Sequence, residues 1–481
     1  MEDQVFNPYL PECEYVPDGE AHVFGNRVYI FGSHDKFNSM RYCVGDLVAY
    51  SAPVNDLTNW KYEGVIYKRR GVKNRLGNKC IWAPDVCRGT DGRYYLYFCF
   101  CWKSYVCVAV SDTPAGKYKF YGVVRHKDGT PYGKGTEDIM CFDPAVLADD
   151  GGVYLYSGYS ANPDLVRMLR LKGIKNVDGT GGQVVRLGKD MLTVESRPRM
   201  LIPGYKNSKG TGFEGHEMYE ASSIRKVGDK YYFVYSSRLS HELAYAISDY
   251  PDRGFKYGGA IISNGDIGYK GRPQDRALNY WGNNHGCIEN INGQWYVFYH
   301  RQTNKTEQSR QACAEKIYID ESGKISQVEM TSCGLNGKPL SASGFYPAYI
   351  ACNLMSGNGA VKCAYGPFSK HKYKEHPCIT QEKAGGAAYQ YISNMRNGST
   401  AGYKFFDIKL PRIIKLRVRG SGGAIKICTS LGGQPVANVP VAADSQWHDV
   451  SAELHFHAGE TPLYFTYEGD GSIDLQGFAF V

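Results

Sequence analysis

Five ionisable residues stand out by their settings: Asp18 in "VPDGEAH", Asp85 in "WAPDVCR", Asp143 in "CFDPAVL", Glu220 in "MYEASSI" and His285 in "NNHGCIE". Each has turn-forming or small neighbours, and each precedes an aligned strand tyrosine by ten to twelve residues. Taken singly, an Asp beside Pro or Gly is an ordinary turn residue. Gathered in one place, four carboxylates and an imidazole are acid–base machinery. One carboxyl can be protonated to assist a leaving oxygen, a second ionised to activate water, and a third set close by to raise the acid's pKa. Clustered like charges cost stability, so such a gathering calls for a chemical reason or a compensating cation.

The elements that would gather these residues are repeats. "FGNRVYIFGS" (24–33), "GTDGRYYLYF" (89–98), "DDGGVYLYSG" (149–158), "VGDKYYFVYS" (227–236) and "INGQWYVFYH" (291–300) each join a polar or glycine turn to an alternating aromatic strand. Turns of the D-G, G-D or N-G type leading into such strands signal hairpins. The aligned tyrosines, Tyr29, Tyr95, Tyr154, Tyr232 and Tyr296, are 66, 59, 78 and 64 residues apart. Each interval has room for four short strands and their loops, so the pattern predicts an all-β, five-bladed β-propeller. In a propeller the strand before each hairpin is the innermost of its blade, and its start points into the central channel. The five residues are therefore expected to converge on one funnel.

Composition narrows the partners. With 481 residues, two domains are expected. The net charge of +8 is modest, and the basic run "YKRRGVKNRLGNK" (67–79) reads as a solvated loop, with no sign of a nucleic-acid partner. The 39 tyrosines suit half-buried strands and surfaces that stack on sugars. Fifteen scattered cysteines, without metal-type pairing, read as free thiols of a reducing compartment. "MEDQVFNPYL" has neither a basic nor an apolar secretory region, and no stretch approaches a membrane span, so a cytoplasmic location is expected. There, small glycosides or imported oligosaccharides would be the natural substrates. A P-loop and a dinucleotide glycine fingerprint are both absent, which leaves acid–base work on a neutral polar substrate.

With motifs from all five repeats, roughly the first 330 residues resemble glycoside hydrolase family 43, a family of inverting enzymes on a five-bladed propeller. The resemblance implies a base at Asp18 ("PDGE"), a pKa-tuning carboxylate at Asp143 ("FDPAV") and a general acid at Glu220 ("YEASSI"). Trp82 and Asp85 in "WAPDV" resemble the family's second-blade wall of the sugar pocket. His285 matches a fifth-blade histidine near the channel axis that often helps hold a hydrated calcium ion. Arg310 in "RQACAEKIYID" matches a substrate-side arginine. Glu12, Glu214 and Glu217 lie near the site in sequence. Glu214 in "GFEGHE" is the main rival for the acid, but Glu220 alone keeps the twelve-residue offset. His34 and Asp35 are expected at the pocket rim, and Trp281 as a stacking platform or a core residue. The implied activity is exo-acting removal of a terminal pentose, α-L-arabinofuranose or β-D-xylose. Terminal β-galactose is the next candidate, and a non-catalytic carbohydrate-binding propeller is the rival of another class.

After the propeller (1–332), "TSCGLNGKPLSASGFYP" reads as a linker over 333–346, and residues 347–481 as a β-sandwich with short alternating strands. "QWHDVSAEL" and "TPLYFTYEGDGSIDLQGFAF" resemble the jelly-roll sandwiches of family 6 carbohydrate-binding modules. Tyr389, Tyr391, Tyr403 and Trp447 are candidate sugar contacts, although the domain is expected chiefly to buttress the propeller.

Overall fold

The computed structural model describes residues 4–481 except 150, 172, 175, 176, 178, 305, 364–373, 410–412, 456 and 457; Asp150 of the third repeat thus lies outside the described residues. Each repeat folds into an antiparallel meander, and the five meanders form five sheets. The first blade comprises Glu20–Phe24, Arg27–Gly32, Leu47–Pro53 and Lys61–Tyr67. The others open with Ile81–Arg88, Ala145–Asp149, Met218–Val227 and Cys287–Ile291. These first strands touch one another in a closed ring, so they line the channel.

Side chains alternate between the two faces of a strand, and each face of a blade meets a different neighbour. Ile30 packs with Phe298 and Ala312 in the seam between the fifth and first blades, while adjacent Phe31 packs with Ile81 and Phe98 in the seam to the second. Further apolar seams around Leu155, Phe233 and Val297 complete five in all. The aromatic alternation that marked the repeats is thus the packing between blades.

The fifth blade has three strands, and the N-terminal segment covers its outer edge. Tyr9 N–H donates to Ala312 O at 3.3 Å. The Asn7 side-chain amide donates to Ala314 O (2.9 Å) and accepts from Ala314 N–H (3.0 Å), doing the work of a fourth strand. An edge covered in this way is closed to pairing with another chain. The basic run 67–79 is a loop between the first two blades, closed by Asn74 Nδ2 donating to Arg69 O and Lys79 O.

The second domain is a sandwich of two six-stranded sheets. Phe406, Phe465, Phe478 and Tyr403 fill its core. The expected linker is corrected by the pairing: Leu340–Ser341 joins one sheet beside Thr400–Ile408, and Gly344–Pro347 joins the other beside Ser472–Phe480. Leu340 and Tyr346 are buried there, which the Gly- and Ser-rich composition around them concealed. The domains are joined through buried charge. Lys404 Nζ donates to Asp266 Oδ2 (2.9 Å) and Glu329 Oε2 (2.8 Å) of the propeller, and Arg301 Nη1 reaches Ala351 O at 2.7 Å.

Candidate active site

Strand register sorts the channel into levels. Glu20, Asp85, Ala145, Ser223 and Cys287 pair with Phe31, Tyr97, Tyr156, Val234 and Phe298, which occupy the same place in their hairpins. Two residues earlier comes a second level: Asp18, Ala83, Asp143, Ala221 and His285. Four of these have left-handed backbones, with φ of 56°, 42°, 46° and 67° for Asp18, Ala83, Asp143 and Ala221. Such conformations cost about 1–3 kcal/mol each in non-glycine residues and persist where the surroundings fix them, typically at functional sites. In the fourth blade the register slips on both sides of Glu220, a bulge that brings this residue into the upper level beside Ala221.

Asp18 Oδ1 accepts from Arg310 Nη1 at 2.8 Å and faces His300 Nδ1 at 3.5 Å and His285 Nδ1 at 3.8 Å. His285 Nδ1 also faces Asp143 Oδ2 at 3.6 Å, and that oxygen accepts from Ala221 N–H at 3.0 Å. Three blades and the fifth-blade imidazole therefore meet in one cluster. Burial pushes the Asp18 carboxyl up, but Arg310, His285 and His300 together outweigh it and hold it at about 2. Glu220 goes the other way: burial, then the charge of Asp18, push it up to about 8. Asp143 is pushed up by burial and then by Glu220 and Asp18. Near neutral pH the site thus holds an ionised carboxylate opposite a carboxyl pair that keeps a proton, the split that acid–base catalysis needs.

The other expected residues fall into place around this centre. Arg310 is held by Asp35, which accepts from Nε (2.8 Å) and Nη2 (3.1 Å). Asp35 also accepts from Cys43 N–H at 2.8 Å, so it positions the arginine and is not the rim contact expected. His34 pairs with Glu14 at 3.6 Å. Trp82 stands in an aromatic arc: its ring lies 5.1 Å from both Trp102 and Phe142, Phe142 lies 4.7 Å from Tyr159, and Tyr159 lies 5.4 Å from Tyr219. Trp102, 38% exposed, is the open face of that arc. Trp281 is buried between His241 and Lys362 and is no open platform.

Asp85 is corrected. It sits one level deeper, accepting from Val86 N–H and Val146 N–H and bonding His22 Nε2 at 2.6 Å. Its ten-residue offset, the shortest of the five, places it beside Glu20 and not beside Asp18. Glu20, His22 and Asp85 hold donor atoms within 4.8 Å of one another, a spacing that suits a cation, but Arg225 already occupies Glu20 Oε2 at 3.0 Å. The rival acids also resolve. Glu214 is exposed and accepts Gly210 N–H, Glu217 accepts from Ser208 Oγ, and Glu12 accepts Gln390 N–H.

Several neighbours carried no sequence signal. His300 faces Asp18, Cys43 Sγ lies 3.3 Å from Arg310 Nη2, and Tyr42 lies under the Arg310 guanidinium at 4.8 Å. Glu307, a buried carboxylate, accepts a hydrogen bond from the Tyr42 hydroxyl.

The chain matches the model of glycosyl hydrolases family 43 over residues 14–325. It belongs to that family. A xylosidase/arabinosidase of Thermoclostridium stercorarium is 48% identical to it over 485 residues, spanning 99% of each chain. A xylosidase/arabinosidase of Bacteroides ovatus is 28% identical over 315 residues, covering 61% of this chain and 87% of that one. Among solved structures, a family 43 arabinoxylan arabinofuranohydrolase from Bacillus subtilis, in complex with cellotetraose, shares the fold across both domains. Its TM-score is 0.51 at 20% identity, covering 99% of this chain and 97% of that one. CoXyl43, a β-xylosidase/α-arabinofuranosidase from a compost metagenome, superposes with a TM-score of 0.51 at 25% identity, covering 68% of this chain and 98% of that one. As a family 43 member the protein is a glycoside hydrolase, with its carboxylates on a five-bladed propeller.

Proposed function

We propose that this family 43 hydrolase removes terminal pentoses, α-L-arabinofuranose or β-D-xylose, from short oligosaccharides by single displacement with inversion. One observation carries the reading: a single cluster holds an Asp18 kept ionised by Arg310 and a Glu220 kept protonated by burial and by Asp18. Asp18 takes a proton from water as that water attacks the anomeric carbon. Glu220 delivers its proton to the departing oxygen on the other face. Asp143, fixed by Ala221 N–H, keeps Glu220 charged with its proton until the bond breaks. The xylosidase/arabinosidase relatives at 48% and 28% identity support the choice of sugar. Free thiols at all fifteen cysteines support work in a reducing cytoplasm on imported oligosaccharides.

His285 is suited to hold a hydrated Ca²⁺. Burial brings its imidazole down to about 4, so the ring is neutral, and neither ring nitrogen has a hydrogen bond among the described residues. Such an ion would add positive charge near the carboxylates that His285 faces and would fix the His285 ring. A rise in Tm on adding Ca²⁺ to chelator-treated protein, absent in His285→Ala, tests this binding independently of turnover.

A panel of nitrophenyl glycosides, with the anomer of the first product followed by NMR, tests the main reading. Release from the arabinofuranoside or the xyloside with inverted configuration is the expected result. Retention, or release from the β-galactoside alone, overturns it.

A further inference from the structure

Glu307 is a buried carboxylate at this site that the three-carboxylate reaction does not use. It lies in the loop before Arg310–Ile317, with the Tyr42 hydroxyl on one oxygen. Its other oxygen lies against Gly282, where an added Cβ would come within 2.6 Å of it. Glycine at that position lets the chain that leads to Asn283 and His285 pass directly over the carboxylate. Asn283 in turn lies beside Glu220. Glu307 therefore lies between Tyr42, which underlies the Arg310 guanidinium, and the chain beside Glu220, and its charge acts on Glu220 and Tyr219.

The far wall of this corner comes from the other domain. Val361–Cys363, between the sandwich strands Asn353–Met355 and Cys378–Ala384, pairs in parallel with the chain at Trp281. Cys363 N–H donates to Trp281 O at 2.7 Å, and Trp281 N–H donates to Val361 O at 3.5 Å. Val361 and Cys363 pack on Tyr280, and the Tyr280 hydroxyl donates to Pro377 O at 2.7 Å. Lys362, between the two pairing residues, is exposed and carries its ammonium over the Trp281 ring at 5.2 Å, where its charge reaches Glu307.

We propose that Lys362 of the sandwich domain and Glu307 of the propeller together form the subsite for the sugar on the leaving-group side of the scissile bond. A general acid must stand beside the oxygen it protonates, so the departing sugar lies on the side of Glu220. Among the described residues, Glu307 acts by its charge on Glu220, and Lys362 acts on Glu307. A carboxylate accepts hydrogen bonds and an ammonium donates them, while each sugar hydroxyl does both; two neighbouring hydroxyls can engage both groups at once. The sandwich thereby contributes to substrate choice as well as to stability. The proposal rests on the pentosidase reading for the identity of the sugar.

Calorimetric titration of Glu220→Gln protein with methyl β-D-xyloside and with xylotriose tests it, alone and combined with Lys362→Met, Lys362→Arg or Glu307→Gln. The expected result is that Lys362→Met and Glu307→Gln each lower the ratio of trisaccharide to monosaccharide affinity by about 10-fold, the loss of one charged hydrogen bond. Lys362→Arg keeps most of the ratio. A merely structural role weakens both sugars alike and leaves the ratio untouched. That outcome, an unchanged affinity for both, or no binding of either sugar overturns the subsite. Failure of the wild-type protein to hydrolyse pentosides, with the ratio still responding to Lys362, overturns the pentosidase reading alone.

Discussion

Arg310 donates from Nη1 to Asp18 Oδ1 at 2.8 Å and from Nε to Asp35 Oδ2 at 2.8 Å, so one guanidinium spans two buried carboxylates. Asp18 faces His285 and His300, while Asp35 fixes the arginine and compensates its charge. Removing one partner of such a group leaves an uncompensated buried charge, at a cost of about 3–5 kcal/mol. Arg310→Met is expected to lower Tm sharply and kcat/KM by at least about 10²-fold, since the base loses both its orientation and the charge that keeps it ionised. Asp35→Asn keeps the shape and one acceptor, so its kcat/KM falls less than that of Arg310→Met. Equal activity in wild type and Asp35→Asn would separate Asp35 from the site.

The raised Glu220 carboxyl makes a stability prediction. Its pKa is about 8 in the fold against 4.5 in the unfolded chain. Between those values the native state keeps a proton that the unfolded state has released, so stability is fully present below pH 4.5 and declines as pH rises toward 8. Glu20 and Glu315, also pushed up by burial to about 8, act in the same direction. Tm is expected to be higher near pH 5 than near pH 8. Glu220→Gln, neutral throughout, raises Tm at the upper end and not at the lower, while turnover falls by about 10²–10⁴-fold. A thermal scan across pH showing the same slope in both proteins contradicts the assignment.

Activity depends on the same proton. kcat/KM is expected to fall as pH rises through about 8, where Glu220 loses its proton. Asp143 and Glu220 repel each other when both are ionised, so Asp143→Asn, which removes that repulsion, is expected to ease ionisation of Glu220 and move the alkaline limb to lower pH, in addition to lowering the plateau. A pH–rate profile of the variant with an unmoved limb would mean that Asp143 acts by position alone.

What the sequence made legible follows from where each residue sits on its strand. Asp18, Asp143 and His285 stand two positions before the residues paired with Phe31, Tyr156 and Phe298, and the aromatic repeats mark that register. Glu220 reaches the same level through a bulge, which its longer offset reflected. Asp85 looked alike because its offset is only one residue shorter than that of Asp18, yet its pairing with Tyr97, after a register shift at Trp82, puts it at the level of Glu20. Glu307 and Tyr42 come from loops with no period, and Lys362 from a segment of the other domain. The sandwich was visible as alternation, but its entry strands were hidden in a Gly- and Ser-rich stretch. Strand pairing to Phe406 and Phe478 decides their fold, and local composition does not.

The junction between the domains sets a last expectation. Truncation after Ser341 removes Lys404 from Asp266 and Glu329, leaves Arg301 without the Ala351 carbonyl, and strips Trp281 of its Val361–Cys363 cover. Two acids and a guanidinium would then meet water or stay buried unpaired, and the wall behind Asn283 would lose its support. A buried charge separated from its partner costs several kcal/mol, comparable to much of a domain's net stability of about 5–15 kcal/mol. The fragment ending at Ser341 is therefore expected to be poorly soluble or to melt well below the full chain, with kcat/KM on nitrophenyl pentosides reduced at least about 10-fold. Lys404→Met in the full chain separates the causes: it breaks the charge lock but leaves the Trp281 cover, so Tm should fall while kcat/KM per folded molecule holds. If the fragment proves as stable and active as the full chain, the sandwich is an appendage, and neither the buried lock nor the cover over Trp281 supports the pocket.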